Sequence, residues 1–315
     1  MVAVKVALVG TGLVGHGWAI VFARAGHDVA LYDPDPRQAE AALGRIHEIL
    51  PELSDLGLIG ADDDLRARIK ICGTLEAALA GAAYVQESGP ERLDVKRAIF
   101  ADLDRIADPE AVIATSSSGI RISAIAEPLT GRSRCLVAHP ANPPYLLPIV
   151  EIVPAPWTDP DIVGRAQAFL SDAGQVPVRL NKEIDGFVLN RLQGALLHEA
   201  FRLVEDGVAT AEDVDKTIRE GLGLRWSFMG PFETIDLNAP GGLADYVARL
   251  GQMYLDFAVQ RGAAKPWPAD LVETIDRERR SLLKQDELPK RAAWRDRRLM
   301  ALAVHKAEAD KGHGA

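Results

Sequence analysis

The sequence has very few cysteines and no long apolar run. Of its 315 residues only Cys72 and Cys135 are cysteines. Both lie among apolar neighbours, which predicts two reduced core residues rather than a disulfide framework. No apolar stretch approaches the ~20 residues needed to span a bilayer, and the opening MVAVKVALVG lacks the order of a signal peptide. We therefore expect a cytoplasmic protein without a membrane-spanning helix.

Positive charge is also scarce. Lys and Arg number 36 against 45 Asp and Glu, which gives a formal net charge of −9. Nucleic acids and anionic membranes select clustered basic residues, so we expect neither as a partner. Metal-binding motifs such as HExxH and CxxC are missing, and we predict no metal site. With 48% hydrophobic residues, the chain can bury the core of two domains.

The first part of the chain alternates β-rich runs with amphipathic stretches. Strands are predicted at 4–10, 28–33, 82–88, 111–117, 135–140, 148–154 and 177–180, and helices at 37–50 and 93–107. Near-continuous apolar runs are typical of a parallel sheet covered on both faces. Their alternation with helices predicts a doubly wound α/β domain of the Rossmann type.

The rest of the chain has a helical pattern. Helices are predicted at 186–207, 211–220, 243–260, 268–284 and 289–311, with Thr210 as the N-cap of the second. We therefore predict two domains, a Rossmann-type domain over residues 1–183 and an all-helical C-terminal domain over residues 184–315.

Three glycines follow the first predicted strand in the pattern G-x-G-x-x-G. Gly10 allows a tight turn, Gly12 lets a pyrophosphate approach the backbone, and Gly15 lets the next helix pack closely. Asp33 ends the second predicted strand, where a carboxylate binds ribose hydroxyls and repels a 2′-phosphate. The pattern predicts an NAD site, and the alternative is a chance glycine pattern in a plain strand–turn–helix unit.

A histidine and a glutamate interrupt two later apolar runs. His139 ends CLVAH, and Glu151 lies inside PIVEIVP. Chemistry in doubly wound folds lies beyond the carboxyl ends of the strands, where a histidine can take a proton from a hydroxyl during hydride transfer. A buried glutamate is rare unless it is paired. We expect the intervening segment to bring Glu151 beside His139, although His139 alone would be interpreted as a core histidine.

Ordered motifs run along nearly the whole chain. They are GTGLVG (10–15), LYDPDPRQ (31–38), QESGPERLDVKRAIF (86–100), SSSG (116–119), AHPANPPYLLPIVEIVP (138–154), KEIDGFVLNRLQ (182–193) and GLGLRWSFMGPFET (221–234). The chain resembles the 3-hydroxyacyl-CoA dehydrogenase superfamily, and within it the λ-crystallin and L-gulonate 3-dehydrogenase branch. The resemblance implies an NAD-dependent dehydrogenase that forms a homodimer.

The resemblance also implies roles for individual residues. His139 matches the catalytic histidine and Glu151 its partner, while Ser118 and Asn190 match residues that contact the substrate. The positions that match NAD contacts or lie in the glycine turn are Leu13, Val14, Asp33, Glu91, Lys96, Ser118 and Asn142. From the residues alone, Ser118 could be an ordinary turn serine, Asn190 a helix-surface residue and Lys96 a solvated lysine.

Two departures from the acyl-CoA branch bear on the substrate. HPANPP (139–144) stands where that branch reads HFFNP, and Arg225 occupies a position where related enzymes of small free 3-hydroxy acids carry an arginine. We expect oxidation of the 3-hydroxyl of an L-gulonate-like acid whose carboxylate binds Arg225. The alternatives are a short-chain L-3-hydroxyacyl-CoA substrate and a non-catalytic, crystallin-like structural protein. Arg225 could instead pair with Glu220 or Glu233.

Overall fold

The computed structural model describes residues 3–60, 65–262 and 266–313, which form two compact units. The first unit draws its residues from Met1–Arg191 and Asp296–Ala315, and the second from Leu192–Arg295. The predicted change from an α/β fold to an all-helical fold is confirmed, and the boundary at 183/184 stays a prediction. None of the described helices is long and apolar enough to cross a membrane.

An eight-stranded sheet forms the centre of the first unit. Its strands are β1 (Lys5–Val9), β2 (Asp28–Tyr32), β3 (Ile69–Ile71), β4 (Ala82–Glu87), β5 (Val112–Thr115), β6 (Cys135–Pro140), β7 (Ile149–Pro154) and β8 (Val176–Arg179). Their order is β3-β2-β1-β4-β5-β6-β7-β8. The seven predicted strands are confirmed. Strand β3 was not predicted, because three residues are too few to show the alternation of apolar and polar residues that marks a strand.

Helices of the first unit pack on this sheet and bury two apolar clusters. They are α1 (Leu13–Arg24), α2 (Pro36–Asp55), α3 (Leu65–Arg68), α4 (Leu75–Leu79), α5 (Leu93–Ile106), α6 (Ile122–Ala126), α7 (Pro160–Asp172), the beginning of α8 (Leu189–Glu205) and the end of α14 (Leu288–His313). One cluster contains Trp18 and Phe22, and the other contains Phe100 and Phe187. Cys135 is buried and Cys72 half-buried, and neither forms a disulfide.

Strand β7 departs from the predicted parallel arrangement. It pairs antiparallel with β6, whereas the other neighbouring strands pair in parallel. The segment 141–148 between β6 and β7 is too short for a crossover, because a parallel connection needs about a dozen residues or more. The antiparallel register places His139 directly opposite Glu151.

The second unit is helical. It contains the rest of α8, then α9 (Ala211–Thr217), a π-helix (Ile218–Leu222), α10 (Gly223–Trp226), α11 (Pro231–Leu237), α12 (Gly242–Arg261), α13 (Ala269–Leu282) and the beginning of α14 (Leu288–His313). The Thr210 hydroxyl accepts a hydrogen bond from the Asp213 N–H at 3.1 Å, as expected for an N-cap. Among the described residues of this unit, only Ala211 and Thr234 are buried.

Candidate active site

The structure brings the predicted histidine and glutamate together at the carboxyl end of β6. His139 Nδ1 lies 2.8 Å from Glu151 Oε2, and both side chains are buried. An ionised carboxylate only accepts hydrogen bonds, so Nδ1 carries the hydrogen and Nε2 is left with a free lone pair. This tautomer equips His139 to accept a proton from a hydroxyl group.

The second oxygen of Glu151 is also bound. Glu151 Oε1 accepts hydrogen bonds from the backbone N–H groups of Val188 and Leu189 at 2.7 and 2.9 Å, where α8 begins. Burial raises the pKa of Glu151, but the hydrogen bonds from His139, Leu189 and Val188 outweigh this effect and hold the pKa below its ordinary value. Glu151 is therefore an anion at neutral pH, and it can stabilise a protonated imidazole.

Ser118 and Asn190 also lie next to each other. Ser118 follows β5 and is exposed, and its backbone oxygen accepts a hydrogen bond from Asn190 Nδ2 at 2.7 Å. Asn190 stands in the first turn of α8, directly after the two N–H groups that bind Glu151. The start of this helix thus connects the histidine pair to the serine turn.

The turn of residues 116–119 is held by Glu91. Glu91 Oε1 accepts hydrogen bonds from the Ser117 hydroxyl at 2.7 Å and from the N–H groups of Ser118 and Gly119 at 3.0 and 3.1 Å. Burial raises the pKa of Glu91, but these hydrogen bonds and the charge of Lys96 have the larger, opposite effect. The pKa of Glu91 therefore lies below its ordinary value. Glu91 is ionised and fixes the backbone that carries Ser118.

Lys96 is buried rather than solvated. Its Nζ lies 2.9 and 3.0 Å from the two carboxylate oxygens of Glu87 and 3.6 Å from Glu91 Oε2. Glu87 was not predicted as part of the site. Its sequence signal is the same as that of Glu151, because both are carboxylates within a buried strand.

The glycine turn has the shape that a dinucleotide requires. A Cβ at Gly10, whose φ is +93°, would lie 2.7 Å from the Ser88 and Gly89 backbone, and one at Gly15 would clash with the Gly10 carbonyl. A Cβ at Gly12 would meet nothing within 4 Å, so this backbone is open to a pyrophosphate. Leu13 and Val14 open α1 beside it.

Asp33 follows β2 and is attached to this turn. Its Oδ2 accepts hydrogen bonds from the Thr11 N–H at 2.9 Å and the Thr11 hydroxyl at 3.1 Å. Arg37, which could have tolerated a 2′-phosphate, instead forms an ion pair with Asp35 at 2.9 Å. Asn142 lies exposed just beyond β6. These residues fit a dinucleotide with an unmodified ribose.

A polar network that the sequence did not reveal connects these elements. The Ser116 hydroxyl contacts Trp18 Nε1 at 3.1 Å, Gln86 Nε2 at 2.7 Å and the Ser88 hydroxyl at 2.9 Å. Gln86 Nε2 also donates to the Ala138 carbonyl at 3.3 Å, next to His139. Nothing in the local pattern of these residues indicates a network, because its hydrogen bonds join segments that are at least 28 residues apart in the chain.

Arg225 lies in α10 of the second unit, directly after the π-helix. Its side chain is exposed. Glu220 pairs with Arg219, and neither Glu220 nor Glu233 forms an ion pair with Arg225. The structure therefore does not show the alternative ion pair between Arg225 and one of these glutamates. Within the described ranges, no group of three or more His, Cys, Asp or Glu side chains is placed to hold a metal ion.

Comparisons with known proteins agree over most of the chain. Residues 5–184 match the family model of the 3-hydroxyacyl-CoA dehydrogenase NAD binding domain, and residues 186–282 match that of the C-terminal domain. The chain is 44% identical to a lambda-crystallin homolog of Bos taurus, over 96% of this chain and 95% of that protein. It is 42% identical to L-carnitine dehydrogenase of Streptomyces griseus, over 78% and 73%.

One solved structure is similar over almost the full length. It is 5-formyl-3-hydroxy-2-methylpyridine 4-carboxylic acid 5-dehydrogenase, described as an NAD⁺-dependent dismutase. The TM-score is 0.82 at 26% identity, and the match covers 96% of this chain and 98% of the other.

Proposed function

The chain belongs to the 3-hydroxyacyl-CoA dehydrogenase family of NAD-dependent dehydrogenases that act on a hydroxyl group, and we propose that its substrate is a small free L-3-hydroxy acid similar to L-gulonate. The observation that carries the proposed oxidation of a 3-hydroxyl is the 2.8 Å contact between His139 Nδ1 and Glu151 Oε2. It leaves Nε2 of a buried histidine ready to accept the 3-hydroxyl proton.

The chemistry divides between the chain and the cofactor. NAD would supply the hydride acceptor. It would be held by the glycine turn of Gly10, Gly12 and Gly15 together with Asp33. His139 removes the hydroxyl proton, and Glu151 orients the ring and stabilises the charge that forms on it. Ser118 and Asn190 would hold the reacting oxygen. The resemblance implies further NAD contacts at Leu13, Val14, Glu91, Lys96 and Asn142.

Two relatives support a free acid over a CoA thioester. L-carnitine, which the Streptomyces griseus relative oxidises by its name, is a free 3-hydroxy acid. The substrate of the similar solved structure is also named as a carboxylic acid. The sequence HPANPP in place of HFFNP points in the same direction. The short-chain 3-hydroxyacyl-CoA alternative rests on the family name and on the similarity to solved 3-hydroxybutyryl-CoA dehydrogenases such as that of Escherichia coli K12, at 33% identity.

The decisive experiment is a substrate panel followed by NADH absorbance. It includes L-gulonate, L-carnitine, L-3-hydroxybutyrate and L-3-hydroxybutyryl-CoA, each with NAD and with NADP. We expect turnover of at least one free acid. We expect NAD to bind at least about tenfold more tightly than NADP, a difference of about 1.4 kcal/mol. In the variant His139→Gln, kcat should fall by a factor of about 10²–10⁴, while the affinity for NAD stays the same.

Other outcomes would favour the alternatives. Turnover of the CoA ester alone would contradict the free-acid proposal. NAD binding without turnover of any panel member would support a crystallin-like structural role. Full activity of Glu151→Gln across the pH range would contradict the pairing of His139 with Glu151.

Arg225 is our candidate for the substrate carboxylate. Its guanidinium is exposed and makes no ion pair with Glu220 or Glu233, and an arginine can bind a carboxylate through two charge-assisted hydrogen bonds. Arg225→Met should lower kcat/KM for the acid by a factor equivalent to about 2–4 kcal/mol of transition-state stabilisation. The kcat/KM for the CoA ester should change little. Arg219→Met, which removes an ion-paired arginine six residues earlier, is the matched control. Equal losses on both substrates would contradict a carboxylate site.

We also propose that the chain acts as a homodimer through its second unit. The described residues of this unit leave large apolar side chains exposed, including Leu192 on α8 at 62% and Phe257 on α12 at 51%. A helical unit that buries so little needs a further surface to cover its apolar faces. A second copy supplies such a surface by symmetry. Light scattering after gel filtration should give twice the mass of the 34.0 kDa chain, whereas the mass of a single chain at micromolar concentration would contradict the dimer.

A further inference from the structure

Phe187 has an unusual backbone conformation. It is the only non-glycine residue in the described ranges with a positive φ, at +50°, and it follows Gly186 with φ +76°. Residues with a Cβ disfavour this left-handed region, and a bulky aromatic residue is rare there. Such a conformation persists only where the surrounding contacts hold it, and it is often found at functional sites.

The contacts that hold Phe187 include the proposed base. Its side chain is fully buried in the cluster that contains Val137 and Val153, which lie two residues from His139 on β6 and from Glu151 on β7. The ring centroid of Phe187 lies 5.6 Å from that of His139, with the planes at 52°. The Phe187 ring therefore limits the positions that the His139 ring can take.

The conformation of Phe187 also directs the backbone that follows it. The next two N–H groups, those of Val188 and Leu189, point at Glu151 Oε1 at 2.7 and 2.9 Å. If residue 187 adopted an ordinary negative φ, these N–H groups would turn away from the carboxylate. Glu151 would then keep its bond to His139 but lose two of the three hydrogen bonds that hold its pKa down.

We propose that Phe187 is a positioning residue for the His139–Glu151 pair, which it fixes through its ring against His139 and through its left-handed backbone beneath Glu151. This proposal rests on the proposed function of that pair. In this role Phe187 contacts neither the hydroxyl group nor NAD. It acts through the orientation of the imidazole and through the two N–H groups on the carboxylate.

The test compares Phe187→Leu with Phe100→Leu. Both substitutions remove a fully buried phenyl ring from the same apolar cluster, but Phe100 lies on α5 and has no ring contact with His139. The first measurement is the kinetics with NAD and the acid that the panel identifies. The second is the downfield proton NMR signal of the His139 Nδ1–H, assigned by its loss in His139→Gln. This signal reports the hydrogen bond to Glu151 without any turnover.

We expect both variants to melt at lower temperature, as large-to-small core substitutions do. Phe187→Leu should lower kcat by at least about tenfold, with the KM for NAD within about twofold of the parent, and should shift or broaden the signal. Phe100→Leu should keep both kcat and the signal. If Phe187→Leu does not fold, Phe187→Met, which retains more apolar volume, is measured in the same way.

Three results would overturn or separate the proposals. An unchanged signal and kcat in the Phe187 variants would overturn the positioning role. Equal kcat losses in Phe187→Leu and Phe100→Leu would overturn it too, because a general loss of packing would then suffice. If no free acid is oxidised but the signal still responds to Phe187 alone, the substrate proposal fails and the positioning role stands.

Discussion

At the scale of single residues, the site is built from buried carboxylates that are paired. Glu151 faces His139, and Glu87 faces Lys96, with each of these four side chains almost completely buried. Removing an ionised group from water costs several kcal/mol unless a partner and hydrogen bonds offset the loss. A carboxylate in an apolar strand is therefore a sequence signal of pairing, and together with His139 at the end of the preceding strand it predicts the partner of Glu151.

Glu91 gives a prediction at the same scale. Glu91→Gln keeps one oxygen for the N–H groups of Ser118 and Gly119 but removes the charge that Lys96 faces. We expect kcat to fall by about tenfold, equivalent to about 1.4 kcal/mol, because the turn that carries Ser118 is held less firmly. Steady-state kinetics and an NAD fluorescence titration on one preparation will test this. An unchanged kcat would contradict the positioning of Ser118, and a loss of NAD affinity alone would leave only the NAD contact that the resemblance implies for Glu91.

At the scale of elements, the register between strands places the reacting groups. β6 and β7 pair antiparallel, so His139 and Glu151 stand directly opposite each other. Side chains directly opposite in such a pair have Cβ atoms about 4.5–5.5 Å apart. A slip of one residue would turn Glu151 to the other face of the sheet and break the pair.

The glycine turn between β1 and α1 gives a second prediction, from two matched substitutions. Gly10→Ala should destabilise the fold by about 2–5 kcal/mol, because alanine disfavours the left-handed φ and its Cβ would meet the Ser88 backbone. Gly12→Ala should change the unfolding free energy by less than about 1 kcal/mol, since its Cβ would enter open space. It should nevertheless weaken NAD binding by at least about tenfold, because the pyrophosphate approaches there.

Urea unfolding and NAD titration of both variants will distinguish these effects. Normal NAD affinity in Gly12→Ala would show that the pyrophosphate does not approach this backbone. A stable Gly10→Ala protein would show that the turn can move away from Ser88.

At the scale of the whole molecule, His27 links stability to pH. Its Nδ1 accepts a hydrogen bond from the Val4 N–H at 3.3 Å, and its ring packs on Phe169. Burial lowers the pKa of His27, as does Arg68, and Asp172 and Asp28 oppose this only in part. The unfolded chain therefore binds a proton more readily than the folded chain, so the unfolding free energy falls as pH drops below about 6.5.

The substitution His27→Asn tests this link. Asparagine keeps an acceptor for the Val4 N–H but cannot titrate, so the variant should lose less stability than the parent between about pH 6.5 and 5. Urea unfolding across this range measures the difference. Part of the slope should remain, because burial also lowers the pKa of His16. Glu91 and Glu151 contribute only at lower pH, because their pKa values lie below 4.5. Equal slopes in the parent and the variant would contradict the role of His27.

The sequence by itself determined the α/β fold with its helical second part, the dinucleotide turn and the closeness of His139 to Glu151. These features depend on local patterns, namely the apolar period, the glycine spacing and a short connection between two strands. Only the tertiary structure decided that Lys96 is buried against Glu87 and that Phe187 adopts a positive φ, which directs the next two N–H groups at Glu151. It also decided that Met300 of α14 is buried in the apolar core of the first unit. These features arise from contacts between different elements of the fold, whose free energy no local pattern records.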